Sequence, residues 1–416
     1  MGALVGAACL VGLLAACSSS SSSTVVGGSD ATVVDGMAGV LDSGPRDSSP
    51  DADATTAPDG STDDAGEAGV QDAPTGSVTD CLVGDAGESV ELRCTGLYSD
   101  WASRTVSADV HQFDPGLHLW SDGAVKTRWI YLPPDPAGDG GTRLPIDTSD
   151  MNEWTFPVGT KFWKEFVLGG KRIETRLLWK QGPSSWYRTT YRWSSDESST
   201  TELTVGELNA DGNGYEVPSQ GACLTCHGGR VDDVLGFDSV SLSSANATPF
   251  TMQTLAAQGW ITKLPEAGIV IPGSAIDVAA LGYLHANCGE ACHNSRNGLA
   301  QRTGFFMRLQ VEHMSSVQAT DTWQTGVNQR AFFTPPGATS PLTLLAPGDA
   351  GASCVVYRMS HRTGVNDAGP GLQMPPIDTH KVDEAGVSLI AQWIDEVLPT
   401  ELDGGPSDGG PAETGD

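Results

Sequence analysis

Two short stretches join cysteine and histidine at spacings that can hold a metal or a prosthetic group. Cys223-Leu224-Thr225-Cys226-His227 reads C-x2-C-H, and Cys288-Gly289-Glu290-Ala291-Cys292-His293 reads C-x3-C-H. The first pattern is the attachment signature of c-type haem. Two thiols add across the porphyrin vinyl groups, and the adjacent histidine gives a nitrogen to iron. The expectation is a pair of covalent haem c groups, held by Cys223, Cys226 and His227 and by Cys288, Cys292 and His293, with His227 and His293 on iron. Other chemistries use the same residues. A redox C-x-x-C wants a thioredoxin-like βαβ context, and half a zinc site wants a second ligand pair; neither stands out along the chain. For the longer motif, a plain Cys288–Cys292 disulfide remains open.

The elements that must position these residues are partly readable. Val278, Leu281 and Leu284 recur at helical spacing, predicting a helix over 276–287 that delivers the chain to Cys288. Val387, Ile390, Ile394 and Leu398 predict a second amphipathic helix, with Asp383 as N-cap. Thr251 to Trp260 reads as a short helix stopped by Gly259. Upstream the signals are those of strands. From Trp186 to Trp193 the chain alternates, placing Tyr187, Thr189, Tyr191 and Trp193 on one face and Arg188 and Arg192 on the other. Gly169-Gly170 is a hairpin turn between two such runs. Lys161, Lys164, Lys171, Arg172, Arg176 and Lys180 cluster here; they read as the solvated face of a sheet, or else as a docking face for an acidic redox partner. His111 and His118 read as structural, and no nucleophile–base pair stands out.

The flanks have a different composition. The chain has 416 residues, a formal net charge of −29 and nine cysteines, which argues against nucleic acid as a partner. Residues 1–17 are apolar but too short to span a membrane, and Leu14-Ala15-Ala16-Cys17 resembles a lipobox in which Cys17 takes lipid. An ordinary signal peptide is the alternative. With Ser18 after the cysteine, the address expected is the periplasm or cell surface, on the outer membrane through the lipid anchor. Residues 18–79 are a tether of Ser, Asp, Ala, Gly and Pro with no aromatic residue, and 401–416 are a tail of like composition; neither can offset ordering entropy by burial. Cys81 and Cys94 open the folded part as an expected disulfide.

Pro115-Gly116-Leu117-His118-Leu119-Trp120-Ser121-Asp122-Gly123-Ala124, followed by Lys126 and Arg128, is similar to a stretch of a bacterial family of di-haem c-type cytochromes. Phe156-Pro157-Val158-Gly159-Thr160 and Glu174-Thr175-Arg176-Leu177-Leu178 resemble two further stretches of it. That family places a β-rich region before its haem motifs, and its second motif is usually C-x2-C-H, one residue shorter than here. The resemblance implies a multidomain chain: a β-rich, sandwich-like domain over 80–218 and an all-α class I cytochrome c-like domain over 219–400. In the class I cytochrome c family the terminal helices cross and a loop methionine is the sixth iron ligand, a role that falls on Met374 of Gln373-Met374-Pro375-Pro376. Gly282 and Tyr283 are then expected near Trp393. For the first haem, Met252, His285 and His313 are the candidate ligands, and Cys354 reads as a small buried residue. The function implied is electron transfer with an unidentified redox protein. A peroxidase-like di-haem enzyme, or a surface binding protein with structural haem motifs, is the alternative.

Overall fold

Gly169 and Gly170 both have positive φ, +59° and +81°, as a two-residue turn between right-twisted strands requires. The computed structural model describes residues 91–138, 141–212, 214–296, 298–362 and 372–402. Cys17, Cys81, the tether over 18–79 and the tail beyond 402 lie outside these. Cys94 is disulfide-bonded. Among the described residues no helix is long and apolar enough to cross a membrane.

The strands are β1 (Tyr98–Asp100), β2 (Thr105–Val106), β3 (His111–Phe113), β4 (Val125–Tyr131), β5 (Lys161–Leu168), β6 (Lys171–Gly182), β7 (Ser185–Trp193) and β8 (Thr200–Glu202). β1 and β2 pair alone, while β3 to β8 form one antiparallel sheet in chain order. Trp129, Trp163, Leu177, Tyr191 and Trp193 cover one sheet face and pack on Leu92, Leu97 and Tyr98. Ile130, Phe162 and Trp186 on the other face pack on Phe237, Met252, Leu255 and Trp260. The sheet is therefore buried on both sides without a second full sheet, so the sandwich-like expectation is corrected. β1 and β2 are too short to form an opposing layer, and the chain after the first Cys-His motif covers the other face.

That covering changes the reading of the basic cluster. Lys180 is almost fully buried, with Nζ 2.6 Å from Asp232, whose carboxylate also accepts from Trp186 Nε1 at 2.7 Å. Arg172 pairs with Glu165 and Glu197, and Lys164 and Arg176 turn toward a cavity. Lys164, Arg172, Arg176 and Lys180 are therefore not a solvated sheet face, whereas Lys171 is exposed.

The helices are α1 (Cys223–His227), α2 (Met252–Ala257), α3 (Ala275–Leu284), α4 (Gly298–Gln301), α5 (Asp321–Gly326), α6 (Cys354–Ser360), α7 (Glu384–Gln392) and α8 (Leu398–Leu402). They run from four to ten residues, joined by long irregular segments. The expected all-α class I cytochrome c-like domain is absent from the described residues. Pro249, Pro265, Pro335, Pro336, Pro341 and Pro347 interrupt the backbone ladder that longer helices need, and the segment from Val234 to Ile261 joins the core of the sheet instead. All described residues belong to one compact unit within 72–416.

Local signals hold where they depend on near neighbours. Thr251 caps α2 and Gly259 follows it at φ +69°. The Asp383 side chain accepts from the Gly386 amide at the start of α7. α3 packs on α7: Tyr283 Oη donates to Asp383 at 3.0 Å and Trp393 Nε1 to Asp277 at 2.8 Å. A Cβ at Gly386 would lie 2.3 Å from the Tyr283 oxygen, so only glycine lets the two helices approach this closely. α3 then continues through a π-helical turn, His285–Gly289, into the second motif.

Candidate functional site

The two motifs, far apart in the chain, meet in space. Gly229, just past the first, touches the second so closely that a Cβ there would lie 2.3 Å from the Ala291 carbonyl oxygen. Arg230 is buried and ion-paired with Glu290, inside the longer motif, and Glu290 also accepts from the Gly236 amide at 2.6 Å. The Cys226 and Cys292 thiols hydrogen-bond one another; that contact and then burial push Cys226 up, while the same contact holds Cys292 down against burial. Gly229→Ala is expected to cost about 1–3 kcal/mol by overpacking, read as a lowered denaturation midpoint; an unchanged midpoint would show that the contact yields freely.

Each motif faces its own cavity. Cys223, Cys226 and His227 line one beneath the sheet, about 160 Å³, shared with Arg128, Lys164 and Arg176. Cys288, Cys292 and His293 line the other, about 310 Å³, together with Met307, Met359 and Met374. Cys292, Asn287, Pro375 and Pro376 line both, so they form the wall between them.

The histidines share one arrangement. His227 Nδ1–H donates to the Asp233 carbonyl at 2.5 Å, and His293 Nδ1–H donates to the Phe305 carbonyl at 2.9 Å. Engaging Nδ1 in this way fixes the ring and leaves Nε2 as the free lone pair, as metal-ligating imidazoles require. Burial lowers both, His227 to about 4, so the rings are neutral at neutral pH. Burial also pushes the Cys288 thiol up to about 12 and Cys354, which lines the second cavity, to about 11. These thiols stay protonated, the form that adds as S–H across an alkene. Paired cysteines beside an oriented neutral histidine fit a c-type haem at each motif.

Met374 lines the second cavity, as the resemblance implies, but Met307 and Met359 line it too. The Met374 loop is held by residues that sequence reading did not single out. Buried Asp122 accepts from the amides of His380 at 2.8 Å and Lys381 at 3.0 Å, while Trp120 Nε1 donates to the Lys381 carbonyl at 3.1 Å. Asn287 ties the same stretch to the end of α3, accepting from the Trp120 amide at 2.6 Å. None of Met252, His285 and His313 lines the first cavity. Met252 is core, and His313 pairs with Asp321 at 2.8 Å.

His285 instead sits with Asp238 and Glu290 in a buried cluster whose donor atoms lie within 4.8 Å of one another. It is not built as a metal centre. His285 Nδ1 accepts from the Leu309 amide at 3.0 Å, so the ring proton sits on Nε2, the nitrogen that faces the carboxylates. A ligating ring would present a lone pair there.

No protein-family model, no curated protein and no solved structure matches this chain.

Proposed function

We propose that the protein is a di-haem c-type cytochrome that passes electrons between redox partners. The observation that carries this reading is the convergence of the two motifs at Cys226 and Cys292, each with an oriented, neutral histidine and a cavity of its own. When bound, haem iron supplies a one-electron couple whose potential depends on axial ligand and surroundings. Cys223 and Cys226 would hold one porphyrin and Cys288 and Cys292 the other, with His227 and His293 as iron ligands. Met374 is the candidate sixth ligand in the second cavity, where a thioether raises the potential relative to a second histidine. The resemblance around Leu119-Trp120-Ser121-Asp122-Gly123-Ala124 agrees with this assignment, and this stretch braces the Met374 loop. Export through a lipid on Cys17 belongs to the same proposal.

The test is a covalent haem count by intact mass and pyridine haemochrome after expression with a c-type maturation system, followed by redox titration. Two haems that titrate as one-electron centres are expected. A chain that comes through maturation with no covalent haem would end the reading.

A further inference from the structure

β4, β5 and β6 place three basic side chains in one cross-strand row. Arg128 is directly opposite Lys164, and Lys164 is directly opposite Arg176. Opposed positions on one sheet face bring their side chains together, and like charges there repel. Lys126, two residues before Arg128 on the same strand face, adds a fourth base.

Water does not fully screen this row. Burial and then the neighbouring guanidinium groups lower Lys126 to about 7, and the same causes lower Lys164 well below the lysine range. Several carboxylates also act on these bases, Asp122 and Asp383 on Lys126 among them. Glu174 is engaged by Arg176 at 2.7 Å and by the Tyr215 hydroxyl at 2.7 Å. Asp378 lines the same cavity, with burial lifting it to about 6, and Asp114 near Arg128 is taken by His118 at 2.6 Å. Among the described residues the Lys164 ammonium makes no hydrogen bond and no ion pair; its Nζ lies 5.2 Å from the Phe166 ring centroid. A row of hydrophobic residues, Ile130, Phe162 and Leu178, lies across the same three strands on one side of the bases, and Lys126, Phe166 and Glu174 lie on the other. A sheet holds such a row when an anion completes it.

We propose that Arg128, Lys164 and Arg176 are the seat for the propionate carboxylates of the porphyrin bound at Cys223 and Cys226. This rests on the haem reading. The row and the first motif line one cavity, and a porphyrin is an anion that the two thioether bonds would deliver there. The Arg128 guanidinium can pair a carboxylate through two parallel N–H donors and Lys164 supplies a point charge, while Arg176, whose Nε and Nη2 are engaged by Glu174, adds positive charge beside them. The row also sets the ferric–ferrous balance, because positive charge beside the iron disfavours the oxidised state.

The test compares Lys164→Met, Lys164→Arg and Arg128→Gln in the matured full-length chain. Covalent haem content is expected to equal that of the native chain in all three, since the thioethers form at Cys223 and Cys226. Lys164→Met and Arg128→Gln are each expected to lower the reduction potential of one haem and leave the other in place, while Lys164→Arg keeps the native value. Native haem content with unchanged potentials in both charge-removing variants would overturn the inference and leave the cytochrome reading standing. A native chain without haem would end both. A native potential that moves on adding inorganic phosphate, with no effect of Lys164→Met in phosphate-free buffer, would assign the row to a free anion and overturn it as well.

Discussion

A chain carrying Cys288→Ala and Cys292→Ala is expected to mature with one covalent haem where the native chain carries two. The remaining haem should be that of Cys223 and Cys226, because their cavity lies under the sheet and is closed mainly by sheet residues and by 375–379. In the redox titration one component should vanish, and the component with methionine character should be the one lost, since Met374 lines only the second cavity. The substitutions remove sulfur atoms at half-buried positions and leave His293 in place with its bond to the Phe305 carbonyl, so the fold is expected to survive. A variant that still carries two haems would show that the longer motif binds no porphyrin through sulfur. A native chain that carries one haem, unchanged in the variant, would give Cys288 and Cys292 a different role, such as a disulfide.

Arg230→Met is expected to destabilise the protein by about 3–5 kcal/mol, the usual cost of removing one partner from a buried ion pair. Arg230 lies against Glu290 and Glu153, and the three are largely buried. Without the guanidinium, Glu290 keeps the Gly236 amide but loses its strongest counter-charge. Adding Glu290→Gln to Arg230→Met should recover much of the loss, because the carboxylate left without its partner is then gone. The pH dependence follows from the direction of Glu290. Burial first and the Asp238 charge second already raise it above the ordinary carboxylate value, against the pull of Arg230, and removing Arg230 raises it further. A carboxyl that is a weaker acid when folded stabilises the fold at pH below its unfolded value and loses that contribution as pH rises through the folded one. The deficit of Arg230→Met should therefore be largest near neutrality and shrink on acidification. Urea unfolding of the single and double variants across that range measures it. Equal deficits for both variants at neutral pH would mean that Glu290 is not the group left stranded.

What could be read from the chain was local, and what could not was contact between distant residues. Gly169-Gly170, Gly259 and Asp383 act on their own neighbours, so turn and cap chemistry located them. The apolar spacing of Val278, Leu281 and Leu284 marks α3 for the same reason. The architecture of 219–400 was not legible from those helices. The segment between Val234 and Ile261 contributes its apolar residues to the sheet, and no periodicity within it says where its partners lie. The bases of β5 and β6 were misread because a strand shows only its own alternation. That Arg128, Lys164 and Arg176 share one row depends on the register of three strands. Asp122 gave no sign of its role either, because the amides it accepts from belong to His380 and Lys381. For the site itself, the six cysteines and histidines of the two motifs were visible from spacing, whereas the meeting of Cys226 with Cys292 was not.

On the cytochrome reading, that meeting would impose an order on biogenesis. Two thiols in hydrogen-bond contact are also placed to oxidise, and in an oxidising compartment a disulfide between them would take one sulfur from each motif at once. A single misplaced crosslink would then leave both cavities unable to acquire two thioether bonds. On that reading the folded, cofactor-free chain would be its own competitor for haem attachment, and loading would have to come before oxidation or be preceded by a reductant.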